Sequence, residues 1–262
     1  MGDVTSAATI PEDARATARV VARQAGCLAG TGAALRVFEL VDPGVRVDRR
    51  IRDGMIVHAG TVVAEVRGPA RSLLTAERVA LNLLGHLSGV ATATRAFVDR
   101  VAGTGATIID TRKTTPGLRA LEKAAVRAGG GANHRMGLYD AVLIKDNHIA
   151  AVGSAAEAVR RARAHVGSTV RVEVEIESLD DLEGAIEAGA DIVMLDNMDG
   201  ASMREAVRRT AGRCLLEASG GITLDSVRAA AETGVDWISV GRITHSAPSL
   251  DVALDFVPSP GA

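Results

Sequence analysis

From residue 107 onward the chain alternates short apolar runs with longer amphipathic stretches. The apolar runs cover residues 107–109, 141–144, 170–176, 192–195, 214–218 and 237–240. The last four recur about every 20 residues, the spacing of βα units. Runs that are mostly apolar on both faces predict strands of a parallel sheet, covered by the helices between them. Those helices carry start signals. Thr115-Pro116 supplies an N-cap with proline in the first turn, Ser154 with Glu157 forms a capping box, Ser178 with Asp181 a looser one, and Thr223 caps the next helix. Gly129, Gly189, Gly212 and Gly234 mark helix ends. Six such units predict a sheet that is closed or nearly closed.

The first third has a different rhythm. Residues 19–24 are β-rich, 31–40 form a helix, and 45–47, 55–57 and 61–66 are short strands separated by Asp-Gly and Ala-Gly turns. Leu73, Leu74, Val79, Leu83, Leu84 and Leu87 recur at helical spacing over 72–87, and a second helix over 90–101 follows Gly89. The division this predicts is an N-terminal α/β domain over 1–88 and an α/β barrel over 89–262, with the C-terminal tail packing back on the N-terminal domain. Gly54, Gly60 and Gly68 give residues 53–69 a faint likeness to a biotinyl or lipoyl carrier, but the central lysine that such a carrier modifies is lacking.

Composition narrows the partners. A formal net charge of −2 over 262 residues argues against nucleic acid or a membrane surface as the main partner, and 2% aromatics argue against a single-strand stacking platform. Cys27 and Cys214 lack metal-ligand or disulfide-framework spacing, which fits a reducing, cytoplasmic setting. No apolar run has the length of a membrane-spanning helix. Residues 1–6 match the short N-myristoylation pattern, which arises often by chance.

Charge placement is more telling than charge content. Residues 110–148 hold seven Lys/Arg against four Asp/Glu. In a βα barrel the active site forms where strands end, and those ends carry Arg112 and Lys113, Lys145, Glu175, Asp196, Ser219-Gly220-Gly221 and Gly241. Arg112, Lys113, Arg135 and Lys145 give four cations to one mouth, suited to an anionic substrate. By contrast Arg119, Lys123 and Arg127 share a helix with Glu122 and read as a solvated face. Glu175 and Asp196 suit Mg²⁺, held directly or through water, or ribose hydroxyls, or a simple balance of the lysines. The loop Ser219-Gly220-Gly221, leading into a capped helix, and Gly241 suit a phosphate. Arg78 shares a helix face with Leu74 and Leu81, and either reaches a carboxylate, a ligand or another subunit, or snorkels at the edge. Among the histidines His134, beside Arg135, is favoured for function over His58, His86 and His165, while His148 shapes its loop.

Several ordered motifs now stand together: Asp110-Thr111-Arg112-Lys113-Thr114-Thr115-Pro116-Gly117, Gly129-Gly130-Gly131 with His134-Arg135, Leu143-Ile144-Lys145-Asp146-Asn147-His148, Met194-Leu195-Asp196-Asn197, Glu217-Ala218-Ser219-Gly220-Gly221-Ile222 and Thr244-His245-Ser246. With Leu74-Thr75-Ala76-Glu77-Arg78 and Gly85-His86-Leu87-Ser88-Gly89 upstream, the chain resembles the quinolinate phosphoribosyltransferase family over nearly its whole length. The resemblance implies a sandwich-like N-terminal α/β domain followed by an incomplete, open α/β barrel, working as a homodimer. It implies Mg²⁺-dependent transfer of phosphoribosyl from 5-phosphoribosyl-1-pyrophosphate to quinolinate, giving nicotinate mononucleotide, pyrophosphate and carbon dioxide in NAD biosynthesis. Arg112, His134, Arg135 and Lys145 would then surround the quinolinate carboxylates, with Arg78 reaching in from the second subunit. Lys113 and Lys145 would meet the pyrophosphate, Glu175 and Asp196 would serve ribose and metal, and Ser219, Gly220, Gly221 and Gly241 would hold the 5-phosphate. Two features depart from the pattern: in the family a helical segment precedes Gly2-Asp3-Val4-Thr5-Ser6, and Arg242 stands where many relatives have a small residue.

The alternatives are a related transferase for another anionic acceptor, a Schiff-base lyase built on Lys145, and a non-catalytic phosphosugar-binding protein.

Overall fold

A computed structural model of the chain describes residues 2–258; Met1, the first residue of the myristoylation pattern, lies outside them. The chain divides into two compact units. One comprises the residues up to Arg95, Ala120–Gly130 and the residues from Ser246 on; the other comprises Ala96–Arg119 and Gly131–His245.

The first unit is built on an antiparallel sheet. β1 (Arg15–Ala22) lies between β5 (Val62–Pro69) and a strand at Val252–Phe256, and β3 (Arg46–Arg49) pairs with the far side of β5. β2 (Gly26–Cys27) and β4 (Ile56–Val57) form a separate small ribbon. Alternation along β1 and β5 sends Ala18, Val20, Ala64 and Val66 into a core shared with Leu28, Phe38, Leu73 and Leu84. Phe38 is fully buried on the helix Thr31–Val41; a side chain of that size contributes about 2–3 kcal/mol by burial. That helix starts at Gly30, and the carboxylate of Asp53 accepts the N–H groups of Gly30 and Thr31 at 2.9 and 3.0 Å.

Residues 72–87 and 90–101 are not two helices. They belong to one helix, Ala70–Arg100, that runs through Gly89. A Cβ at Gly89 would lie 2.1 Å from the carbonyl oxygen of Pro248, so this glycine lets two backbones approach and does not break the helix. The helix Arg119–Ala128 holds another departure. Glu122 and Lys123 are fully buried, with His86 Nε2 2.7 Å from Glu122 Oε1, where the charge pattern had indicated a solvated face.

The second unit is a parallel sheet in the order β6-β11-β10-β9-β8-β7, where β6 is Thr107–Ile109, β7 Val142–Ile144, β8 Val172–Ile176, β9 Ile192–Asp196, β10 Leu215–Ser219 and β11 Trp237–Ser239. All six strands fall on the predicted apolar runs. β6 and β7 lie at opposite ends of this order, so the barrel is open; β6 pairs with β11, and an isolated bridge joins Ile109 to Ala132.

The two faces of the sheet are unlike. Val172, Val174, Ile176, Val193, Leu195, Leu216, Ala218 and Ile238 form one apolar, buried face. Register puts Glu175, Met194, Glu217 and Trp237 side by side on the other face, with Glu173 one layer below and Asp196 and Ser219 one layer above. The two-sided apolar expectation is therefore corrected: the inner face is mixed, with Glu173, Glu175, Glu217 and Asp196 set among Ile192, Met194, Leu215 and Trp237.

Helix starts also shift. Ser154 Oγ accepts the N–H of Glu157 at 3.2 Å as its motif predicts. After Thr115-Pro116, however, a turn with Gly117 at φ +80° delays the helix to Arg119. Ser178 caps a turn ahead of Leu182–Glu187, and Thr223 exchanges bonds with Ser226 in the turn ahead of Val227–Ala231.

Candidate active site

The strand ends of the second unit gather the predicted polar residues on one rim. Arg112 and Lys113 follow β6 and are exposed. Their loop is braced by Arg119, whose Nη2 donates to the Arg112 carbonyl at 3.3 Å, and by buried Thr244, whose Oγ1 donates to the Lys113 carbonyl at 2.7 Å. A Cβ on Gly241 would come within 3.3 Å of Lys113 Cδ, which draws the β11 loop and the β6 loop together.

Arg135 is carried by the loop between Gly131 and β7. Its Nη1 donates to the carbonyl of Ala141 at 3.1 Å. Burial, then the positive charge of Arg112, pull its pKa down, while the charges of Glu173 and Asp140 oppose this. A guanidinium so placed remains charged at neutral pH, and it gains more than an isolated one from an incoming anion. Lys145 ends β7 and is ion-paired with Glu175 of β8. Asp196 ends β9, where Asn197 Nδ2 donates to its Oδ2 at 2.7 Å. These acids do not form a ready three-donor metal cage. Two carboxylates on neighbouring strands nevertheless match the way magnesium is usually held, by one or two acids together with substrate phosphates.

The phosphate candidate is a backbone device. Ser219 closes β10, and its carbonyl accepts the N–H of Asn197 at 3.0 Å. Gly220 has φ +98°, and a Cβ there would sit 2.1 Å from Asn197 Oδ1, so conformation and space both demand glycine. Gly221 follows at φ +60°. The next helix begins only at Val227 and is five residues long, so the loop's own N–H groups carry the anion-binding argument, more than a helix dipole does.

Below the rim lies a cluster that the sequence did not announce. His134 Nε2 is 2.7 Å from Glu173 Oε2 and 3.6 Å from Glu217 Oε2. Both acids are buried, at 1% and 0% exposure, and the three donor atoms all lie within 4.8 Å of one another. Among the described residues no well-formed hydrogen bond reaches Glu173 Oε1 or either oxygen of Glu217. Burial, then the negative charge of Glu173, push the Glu217 carboxyl well above the usual range, with Ser239 and Lys145 opposing. Trp237 packs edge-on against His134, with ring centroids 6.5 Å apart. Asp110, also fully buried, accepts the His134 backbone N–H at 2.9 Å and Asn133 Nδ2 at 2.6 Å. The available signal was the alternation Val172-Glu173-Val174-Glu175-Ile176, which sets two acids on one face of one strand.

Arg78 stands on the helix Ala70–Arg100, in the stretch that belongs to the first unit. Its side chain is 73% exposed, with Nη2 3.8 Å from Glu77 Oε1. It borders a cavity of about 500 Å³ with Asn82, Gly85, His86 and residues 249–252.

The opposite end of the parallel sheet is built differently. A cleft of about 570 Å³ there is lined by Arg171, Asp191, Arg213, Cys214 and Asp236. Asp191 and Asp236 accept the N–H groups of Val172 and Leu216 at 2.7 and 2.8 Å, so they cap neighbouring strands. Burial pushes the Cys214 thiol up to about 11, which leaves it unreactive near neutral pH.

An open α/β barrel with cations, acids and a glycine anion loop on one rim defines a phosphosugar-handling enzyme site. Comparison with known proteins names the kind. Residues 3–88 match the model of the quinolinate phosphoribosyl transferase N-terminal domain, and residues 90–255 match that of its C-terminal domain. The chain belongs to the quinolinate phosphoribosyltransferase family. It is 49% identical over 254 residues to a probable nicotinate-nucleotide pyrophosphorylase [carboxylating] of Bacillus subtilis, covering 97% of this chain and 88% of that one. It is 47% identical over 258 residues to the nicotinate-nucleotide pyrophosphorylase [carboxylating] of Mycobacterium leprae, covering 97% and 90%. The crystal structure of NadC from Streptococcus pyogenes superposes with a TM-score of 0.93 at 44% identity, covering 98% of this chain and 92% of that one.

Proposed function

We propose that this chain transfers the phosphoribosyl group of 5-phosphoribosyl-1-pyrophosphate to quinolinate and releases carbon dioxide, forming nicotinate mononucleotide and pyrophosphate. The observation that carries the reading is the placement of Arg112, Lys113, Arg135 and Lys145 on the same rim as the acids Glu175 and Asp196 and the Ser219–Gly221 loop. A dicarboxylate needs paired cations, a pyrophosphate leaving group needs more, and a 5-phosphate fits the glycine loop. The carboxylating relatives named above support the same assignment.

In this reading Arg112 and Arg135 grip the acceptor carboxylates and aim the ring nitrogen at the anomeric carbon of the sugar. The nitrogen's lone pair forms the new bond as the bond to pyrophosphate breaks, so positive charge develops on the sugar and negative charge on the leaving group. Glu175 and Asp196 face the first, Lys113 and Lys145 the second. A well-aimed charged group of this kind contributes about 3 kcal/mol to the barrier. The ring is then a pyridinium. The bond from C2 to its carboxylate breaks, the electron pair stays on C2 beside the positive nitrogen, carbon dioxide leaves, and C2 takes a proton. Mg²⁺, held by Glu175 and Asp196 directly or through water, would neutralise the pyrophosphate charge when bound. The reading includes a cytoplasmic homodimer in which Arg78 of a second copy completes the acceptor pocket.

Purified protein with quinolinate, 5-phosphoribosyl-1-pyrophosphate and Mg²⁺ should yield nicotinate mononucleotide, followed by chromatography. Absence of product, with nicotinate also inert as acceptor, would overturn the assignment. A Schiff-base lyase would form a covalent adduct at Lys145, which is ion-paired with Glu175, so borohydride with a carbonyl substrate should leave Lys145 unmodified.

A further inference from the structure

The charge pattern sets Arg119 on a solvated helix face, yet its guanidinium is used within the rim. Nε donates to Thr114 Oγ1 at 3.0 Å, Nη2 to the Arg112 carbonyl at 3.3 Å and Nη1 to the Met136 carbonyl at 3.3 Å. The first two acceptors lie on the loop after β6, and the third lies on the loop before β7, directly after Arg135. All three are neutral, so this fork is not balancing a carboxylate. At their roots the two loops are tied by the bridge from Ile109 to Ala132 and by Asp110, which accepts the His134 N–H at 2.9 Å. Arg119 ties them again at the level of the cations.

Each loop is also fixed by itself. Thr244 Oγ1 donates to the Lys113 carbonyl at 2.7 Å, and the Asp140 carboxylate accepts the N–H groups of Met136 and Gly137 at 2.6 and 2.9 Å. What Arg119 adds is the tie between the loops, and the charges they carry make a tie necessary. The positive charge of Arg112 pulls the Arg135 pKa down, so the two guanidiniums repel. Loops that carry like charges drift apart unless held, and a pocket that must first be reassembled binds its ligand more weakly. A third arginine can serve as the tie because its planar fork of N–H groups reaches several acceptors at once.

We infer that Arg119 is a positioning residue that clasps the two acceptor loops and so sets the span between the guanidiniums of Arg112 and Arg135. A fixed span suits a rigid ring bearing two carboxylates, the acceptor proposed above, and the inference rests on that reading.

Two measurements test it. The first is hydrogen exchange by mass spectrometry on the substrate-free protein, comparing Arg119→Ala with wild type. Peptides over 111–118 and over 133–141 should both exchange at least about threefold faster, while those of β8, β9 and β10 stay unchanged. A response in one loop alone, in neither, or throughout the sheet overturns the inference. No substrate is present, so this result stands apart from any failure of the proposed activity.

The second is steady-state kinetics. Arg119→Ala should raise the KM for quinolinate about tenfold, with the KM for phosphoribosyl pyrophosphate within about twofold of wild type. Arg119→Lys keeps the charge but replaces the fork with a compact point donor, so its quinolinate KM should stay raised at least about fivefold. Recovery of the wild-type KM in the lysine variant, or a parallel rise in both KM values, overturns the inference. If Arg119→Ala does not fold, the lysine variant decides by the same exchange and KM readouts.

Discussion

Arg112 and Lys113 stand in solvent at the rim of the parallel sheet, whereas Glu173 and Glu217, on the inner face below, are cut off from water. The two levels meet opposite electrostatic problems. An exposed cation costs little to maintain and can wait for a ligand. A buried carboxylate cannot wait, and must be protonated, hydrogen-bonded or paired within the fold. Glu173 has His134, and burial and the Glu173 charge raise the Glu217 carboxyl well above the usual range. The rim should therefore matter to turnover and little to stability, while the floor should matter to both.

That contrast breaks first if the rim lysines prove dispensable. Lys113→Ala and Lys145→Ala should each lower kcat/KM by about a hundredfold or more, while the melting temperature stays within about 2 °C of wild type. Near-normal turnover in either would show that the rim is misread. Gly220→Ala should fail on both counts, since it places a Cβ against Asn197 Oδ1 at φ +98°. A loss of about 2 kcal/mol in a denaturant melt is expected, together with a raised KM for the phosphoribosyl donor.

The floor gives a pH signature. The Glu217 carboxyl lies above its unfolded value, so the folded protein holds this proton more tightly than the unfolded chain does. The associated stability is fully present below the ordinary glutamate range and is lost as pH rises through the folded value. Glu217→Gln removes that dependence, so chemical denaturation at a series of pH values should show the variant gaining on wild type as pH rises above the glutamate range. A gap that stays constant would mean that Glu217 is ionised in its buried site. The smallest effect belongs to neither level. Ser154→Ala removes a helix cap away from the rim, and should cost about 1 kcal/mol in thermal melts without changing KM.

The rim was legible in the sequence because its residues follow short apolar runs, where strand ends and chemistry coincide. All six strands of the barrel, and the gathering of Lys113, Lys145, Glu175 and the Ser219 loop at their ends, came from that pattern. The floor was not legible, because Glu173 and Glu217 lie inside runs whose apolar neighbours, Val172 and Val174 or Leu216 and Ala218, make the strands look apolar on both sides. Seeing them required the register that sets Glu217 beside Met194 and Trp237. The same loss of tertiary context hid the buried pair Glu122 and Lys123, and made Gly89 look like a helix break when it is a point of close approach to Pro248. The likeness to the family supplied a list of ligands, but only side-chain geometry shows how Arg119 joins the loops that carry two of them.

The central claim is that one rim clamps a dicarboxylate, attaches the phosphoribosyl group to its ring and lets one carboxylate go. The most direct measurement is the stoichiometry of a single reaction with carboxyl-labelled quinolinate, counting pyrophosphate, carbon dioxide and nicotinate mononucleotide together. The site described here predicts one of each per turnover. Pyrophosphate released without carbon dioxide, or no turnover of quinolinate at all, would contradict it.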